Sequence, residues 1–555
     1  MKTRNFNQKL ISTVLFAVIL LPNLALGQAA KPAVYTAPKD AIDRLRDEGM
    51  NRSQVMQTLS YMTDVIGSRL TGSPGMKRAN EWTRDTMAMW GMQNAHLEAW
   101  GPFGRGWSLR RFSAAMVAPD YVPLIAHPAA WSPSTKGAVM SEVVVFDAQT
   151  PAEYAKFKGQ LAGKIVLVSA MRPVKPIEKG LVDRLDEERL KKMASAPDPA
   201  VSGDTGNPPP AALKSITEFF NAQAQRIKFL IDEGAAVMVD NSPAGSGGTV
   251  FVQGANVAVD MPELKVFEEL FDAPAFAPQL KKNAPFVLPQ VTMSTEDFNR
   301  LVRMSKQGAR PKVAIEIDSQ FHEEDPMGYN TIAEIPGSDP AVKDEIVMLG
   351  GHLDSWHAST GATDNAAGCA AVMEAARLIL ASGLKPRRTI RVALWSGEEQ
   401  GLFGSRAYVA KHLGDYKNGV FVKGPEYDKL SAYYNLDNGT GRIRGVYMQG
   451  NAAVRPFFEA WLSPFTDLEA KTLTLSNTGG TDHLPFDAIG LPGFQFIQDP
   501  VEYNSRTHHS NQDNFDRIQG VDMKQAATII AAFAYQTAMM DGILPRKPLK
   551  ATPQL

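Results

Sequence analysis

Cysteine is almost absent from this chain, with one residue, Cys369, among 555. A lone thiol cannot pair within the chain, so no disulfide framework holds the fold, and stability has to come from packing and from any bound metal. Cys369 sits in the small-residue stretch NAAGCAAV, where it reads as a buried thiol that lets a helix and a sheet approach closely rather than as a nucleophile. Net charge is nearly absent too, formally −1, with neither a long basic run nor an acidic tail, which leaves nothing to favour nucleic acid as a partner. Beyond the apolar run at residues 10–26 no stretch is long and apolar enough to span a bilayer, and no internal repeat is evident.

Lys2, Arg4 and Lys9 precede that run, and Ala25 and Gly27 suit the small-residue positions of a cleavage site, so residues 1–27 read as a signal peptide. Pro22 and the shortness of the run argue against a retained membrane anchor. The expected destination is the periplasm or the outside of the cell. At 555 residues the chain exceeds what one hydrophobic core usually organises, which predicts two domains or one large domain with an insertion.

Residues 345–349 (EIVML) read as a buried strand ending just before His352, and residues 365–381 as a helix stopped by Gly383, with Thr363 or Asp364 as its N-cap. Residues 388–395 (RTIRVALW) form a second buried strand, and Glu398 and Glu399 leave its carboxyl end. Strand, loop, helix and strand in succession predict an α/β fold, a mixed and mostly parallel sheet flanked by helices, whose ligands gather at the carboxyl ends of strands. Residues 430–437 (LSAYYNLD) and 491–499 (LPGFQFIQD) are further strands, the first ending in Asp437. Helices are expected around 55–66 and 76–90 after an extended segment at 31–39, and an amphipathic helix over 522–540 closes the domain.

From about residue 126 to 321 the character changes. Short strands at 142–146, 163–168, 235–239 and 291–293 alternate with long polar segments, a helix opens at the capping-box pattern Ser294-Thr295-Glu296-Asp297, and residues 196–210, rich in Pro, Gly and Asp, read as a mobile surface loop. The order of strand, GKIVLV, helix ending in DEGAA, and strand resembles the protease-associated domain. The expected division is a signal peptide at 1–27, a catalytic domain in two parts at 28–125 and 322–545, an inserted β-rich module at 126–321, and a tail at 546–555.

The chemistry rests on His352, Asp364, Glu399, Asp437 and His509, potential ligands at strand ends that converge in one crevice. His, Asp and Glu without Cys suit Zn²⁺ at a catalytic site, where an open position holds water of lowered pKa. The two oxygens of Asp364 can bridge two ions, one also held by His352 and Asp437, the other by Glu399 and His509. Glu398 is next to a ligand yet free to move a proton, and Asp354 is placed to accept the second imidazole N–H of His352.

GGHLDSW, GATDNAAG, WSGEEQGLFGS, NLDNGTG, TDHLPF and HHSNQD, in this order, resemble the motifs of the co-catalytic di-zinc exopeptidases that include carboxypeptidase Q and the bacterial zinc aminopeptidases. The resemblance takes in the early RLTGSPG segment and the inserted module. It implies two zinc ions per chain on the five ligands, Glu398 as the acid/base, and short peptides as substrates, while a homodimer stays open. The family's last ligand stands as His-Ser/Thr-x-x-Asp, which favours His509 with Asp513 over His508. Asn365 departs from the Asp often found there in carboxypeptidase Q-like proteins. His357 reads as a loop histidine without a metal role, and Thr481-Asp482-His483 as residues that line the pocket or back the ligands. Two other functions on this fold remain open: a binding protein without peptidase chemistry, as in the transferrin receptor branch, and single-zinc acyl transfer, as in glutaminyl cyclases, which lack the long inserted module.

Overall fold

The apolar runs IVMLGGH and TIRVALW form neighbouring parallel strands, Ile346–His352 and Thr389–Trp395, paired from Ile346 with Thr389 to His352 with Trp395. Both are covered on their two faces. Val347 and Leu349 point into a core shared with the helices Ala367–Ala381 and Gly520–Met539, whereas Ile346 and Met348 pack with Trp395, Tyr433 and Phe486 on the other side. That is why these strands read as continuous apolar runs rather than alternating ones. With Leu430–Asn435 and Gly493–Gln498 they make the parallel centre of an eight-stranded mixed sheet, and antiparallel pairings join Gln93–Trp100 and Gly328–Ile335 on one flank and Ile443–Tyr447 on the other.

The computed structural model describes residues 34–202, 209–265, 269–272, 277–281 and 287–549. The signal peptide expected at 1–27, residues 203–208 of the expected surface loop and residues 550–555 of the tail lie outside the described residues. Among the described residues no helix is long and apolar enough to cross a membrane.

Several expectations change. Neither Thr363 nor Asp364 caps the helix after His352: it begins at Ala367 behind a turn at Ala362–Ala366, in which Asp364 and Asn365 have non-helical backbone, and its N-cap residue Ala366 offers no side-chain cap. The Asp364 carboxylate is directed to the site instead. The closing helix Gly520–Met539 is not amphipathic but buried at nearly every position from Asp522 to Ala538, because an unexpected helix, Lys39–Asn51, covers it. Pro199–Ser202 is a short helix inside the stretch read as a loop.

A second eight-stranded sheet runs from Gly106–Ala118 to Lys312–His322, which pair antiparallel along their length, so it begins before the expected start at residue 126. Its parallel strands Val139–Val145, Ile165–Leu167, Val237–Asn241 and Gln290–Met293 are accompanied by the helices Pro210–Asp232 and Thr295–Lys306. The region is therefore α/β in character rather than β-rich. Ser294 caps its helix by accepting from the amide of Asp297, as the sequence pattern requires.

Candidate metal centre

Each candidate ligand leaves the carboxyl end of a central strand or the turn beside it. His352 is the last residue of its strand, Glu398 and Glu399 follow Trp395, Asp437 follows Leu430–Asn435, and His509 lies in the loop beyond Gly493–Gln498. Asp364 reaches the same point from the turn ahead of the helix Ala367–Ala381. Gly368 lets that helix come close: a Cβ there would lie 2.3 Å from the carbonyl oxygen of Leu436, the residue before Asp437.

The side chains meet around Asp364. His352 Nε2 lies 3.1 Å from Asp364 Oδ1 and 3.6 Å from Asp437 Oδ1, and His509 Nε2 lies 3.2 Å from Asp364 Oδ2 and 2.9 Å from Glu399 Oε2. One carboxylate thus faces one imidazole with each oxygen, the arrangement a bridging ligand needs. Glu398 Oε2 stands 3.9 Å from His352 Nε2. His508 is half-exposed, 3.8 Å from Asp364 Oδ2, and its ring lies against His509, so the geometry favours His509 as the last ligand.

Asp354 does something other than expected. The Nδ1–H of His352 donates to the backbone carbonyl of Asp354 at 3.1 Å, and the nearer carboxylate oxygen is 3.7 Å away. The carboxylate instead accepts from Thr71 Oγ1 at 2.9 Å and from the amides of Glu398 and Glu399, each at 3.3 Å. It fixes the turn that presents both glutamates. Asp354→Ala is expected to lower kcat/KM by about 10- to 100-fold; steady-state kinetics at saturating zinc check this, and unchanged kinetics would remove Asp354 from the machinery.

Other supports were not legible as such. Arg69, fully buried, donates from Nε to Leu353 O and from its two terminal nitrogens to Thr360 O and Gly361 O, each at 2.7 Å, so one guanidinium binds together the loops that carry His352 and Asp364. Asp513 accepts from the amides of Thr363 and Asp364 at 2.5 and 3.2 Å. Asn365 donates to Leu436 O at 2.8 Å, a contact that an ionised aspartate could not make. His357 donates to Pro128 O at 2.7 Å, and burial takes its pKa down to about 4. Asp482 accepts from Ser405 Oγ and His483 donates to Thr478 O, so both stand behind the site.

The donor set fits a pair of cations. Four carboxylates, Asp364, Glu398, Glu399 and Asp437, are gathered with two buried or nearly buried imidazoles, and Asp364 Oδ2 and Glu399 Oε1 are buried without a hydrogen-bond partner. Buried charge in this excess calls for coordinated metal. Burial alone would lower the His509 pKa, yet Glu399 and Asp364 push it up to about 10, and Glu398 and Asp437 likewise outweigh burial to raise His352 well above its ordinary value. A field that holds protons on imidazoles holds cations equally well. Beside the cluster is a cavity of about 730 Å³, lined by Trp356, Glu399, His508 and His509 and, from the second sheet's region, by Gln253 and Asn256; another of about 510 Å³ borders Asp437.

A sequence profile of Peptidase family M28 matches residues 330–534, which contain all six of these positions. Carboxypeptidase Q from Bos taurus is 25% identical over 93% of this chain and 91% of its own length, and that from Mus musculus is 31% identical over 47% of this chain and 52% of its own. The stronger match thus spans about half the length of the curated relative. Among solved structures, a Peptidase M28 precursor from Shewanella amazonensis superimposes with a TM-score of 0.61 at 24% identity, covering 92% of this chain and 99% of that one. A zinc aminopeptidase from Bacillus subtilis gives 0.52 at 17%, with 90% and 97% covered. Residues 330–534 thus match Peptidase family M28, and the fold is shared with the Shewanella amazonensis and Bacillus subtilis structures.

Proposed function

We propose that the chain is an exported di-zinc exopeptidase that hydrolyses dipeptides or removes terminal residues from short peptides, in the manner of carboxypeptidase Q rather than of a dedicated aminopeptidase. The observation that carries this is the convergence of His352, Asp364, Glu399, Asp437 and His509 with Glu398 at 3.9 Å from the nearest ligand nitrogen. The intact set speaks against a receptor that has lost its chemistry. A cavity of about 730 Å³ is of the size that takes a small ligand rather than a loop of folded protein.

Two zinc ions held by these residues would polarise the scissile carbonyl and make water a nucleophile near neutral pH. Glu398 takes the proton that the water gives up and passes it to the leaving nitrogen. Burial raises the pKa of its carboxyl well above the ordinary carboxylate value, which suits a group that must accept a proton and then release it. Asp354, through the two amides it accepts from, keeps the glutamates pointed at the reacting atoms.

The test is mass spectrometry of products from zinc-loaded protein given free, N-acetylated and C-amidated forms of the same di- and tetrapeptides. Loss of cleavage on C-amidation, but not on N-acetylation, is the expected result; the reverse makes the enzyme an aminopeptidase, and cleavage of free dipeptides alone makes it a dipeptidase. No cleavage by protein shown to hold zinc would overturn the peptidase reading.

A further inference from the structure

The loop that carries His509 is held from the region of the second sheet. Phe251 and Ser510 form an isolated antiparallel bridge, the amide of Val252 donates to His509 O at 3.1 Å, and the amide of Asn511 donates to Val250 O at 3.0 Å. The Asn511 side chain completes the seam, accepting from Val250 N at 2.8 Å and donating to Gly248 O at 3.1 Å. On its other side this segment is tied down in turn. Ala130 N donates to Gln253 O at 2.9 Å, Ala255 N donates to Ala130 O at 2.8 Å, and Val250, Val252 and Ala255 are buried with Ala129.

The backbone of Gln253 is therefore fixed on both flanks, and its carboxamide nitrogen, Nε2, lies 2.7 Å from Nδ1 of His509, with the amide oxygen turned away from the ring. The opposite nitrogen of that ring, Nε2, is the one that faces Asp364 and Glu399. A ring that offers the Nε2 lone pair to a metal must carry its proton on Nδ1, and a proton there requires an acceptor. The amide must then turn its oxygen to the ring. An amide oxygen sets tautomer and ring direction without adding another negative charge to a site that already gathers four carboxylates.

We infer that Gln253 is a positioning residue for the ion held by Asp364, Glu399 and His509, so that the second sheet's region takes part in metal binding as well as lining the cavity. This rests on the di-zinc reading of the cluster. The test is calorimetric titration of zinc into the chelator-stripped full chain, comparing the unsubstituted protein with Gln253→Ala and Gln253→Glu, alongside thermal unfolding of the three metal-free proteins. Gln253→Ala is expected to weaken one of the two zinc sites by about 10- to 100-fold and leave the other unchanged. Gln253→Glu, which restores an acceptor, should bind both ions within a few-fold of the unsubstituted chain, and the metal-free unfolding temperatures should coincide. Two sites of unaltered affinity in Gln253→Ala overturn the role of Gln253 and leave the di-zinc reading standing. An unsubstituted chain that binds fewer than two zinc ions overturns both.

Discussion

Glu398→Gln is expected to cut kcat by about 10³-fold while zinc content stays the same. The substitution keeps size and hydrogen-bonding reach but removes the one property the proposed mechanism uses, the capacity to take a proton and give it back. Glu398 reaches no closer than 3.9 Å to His352 Nε2, whereas Glu399 approaches His509 to 2.9 Å, so loss of charge at 398 should spare metal binding. Elemental analysis and turnover on one preparation check both halves. Normal turnover would sink the assignment of the base, and loss of zinc would make Glu398 a ligand.

Asp364→Ala should do more, because a single carboxylate serves both halves of the cluster. Its Oδ1 faces His352 at 3.1 Å and its Oδ2 faces His509 at 3.2 Å. Removing it is expected to weaken both zinc sites together and to lower activity by at least about 10³-fold, since metal polarisation contributes several kcal/mol to such reactions. Asp437→Ala, by contrast, should weaken the site shared with His352 alone. Zinc titration of the two variants distinguishes them; an Asp364→Ala protein with one site at full affinity would show that the carboxylate does not bridge.

The central strands were legible because burial on both faces leaves an uninterrupted apolar run, as in EIVML and RTIRVALW, and glycine or acidic residues mark where each run stops. That logic also brought the candidate ligands into view, since strand ends at one edge of such a sheet must be neighbours. What could not be read lay in contacts without a fixed spacing. Asp354 was expected to hold an imidazole because it stands two residues from His352, but a carboxylate goes where donors point, and the amides of residues 398 and 399 point at it. Gln253 meets His509 across 256 positions of chain with no motif around it. The helix Gly520–Met539 misled for another reason: alanine and threonine lie as comfortably against a sheet as against solvent, so only the covering helix Lys39–Asn51 reveals that it is enclosed. Arg69 opens the RLTGSPG segment, noted only as part of the resemblance and with no role given to the arginine, although its guanidinium holds two ligand loops in register.

Directly under His352, the Cys369 thiol donates to the carbonyl oxygen of that residue at 3.0 Å, and burial pushes its pKa up to about 12. At any physiological pH it is a protonated group sealed from solvent. It supplies no thiolate for oxidants to convert to sulfenic acid, none for a mixed disulfide, and none to capture a stray metal ion beside the intended ligands. The thiol chemistry is accordingly the same in reducing and oxidising surroundings, and the fold needs no disulfide-forming step in its maturation.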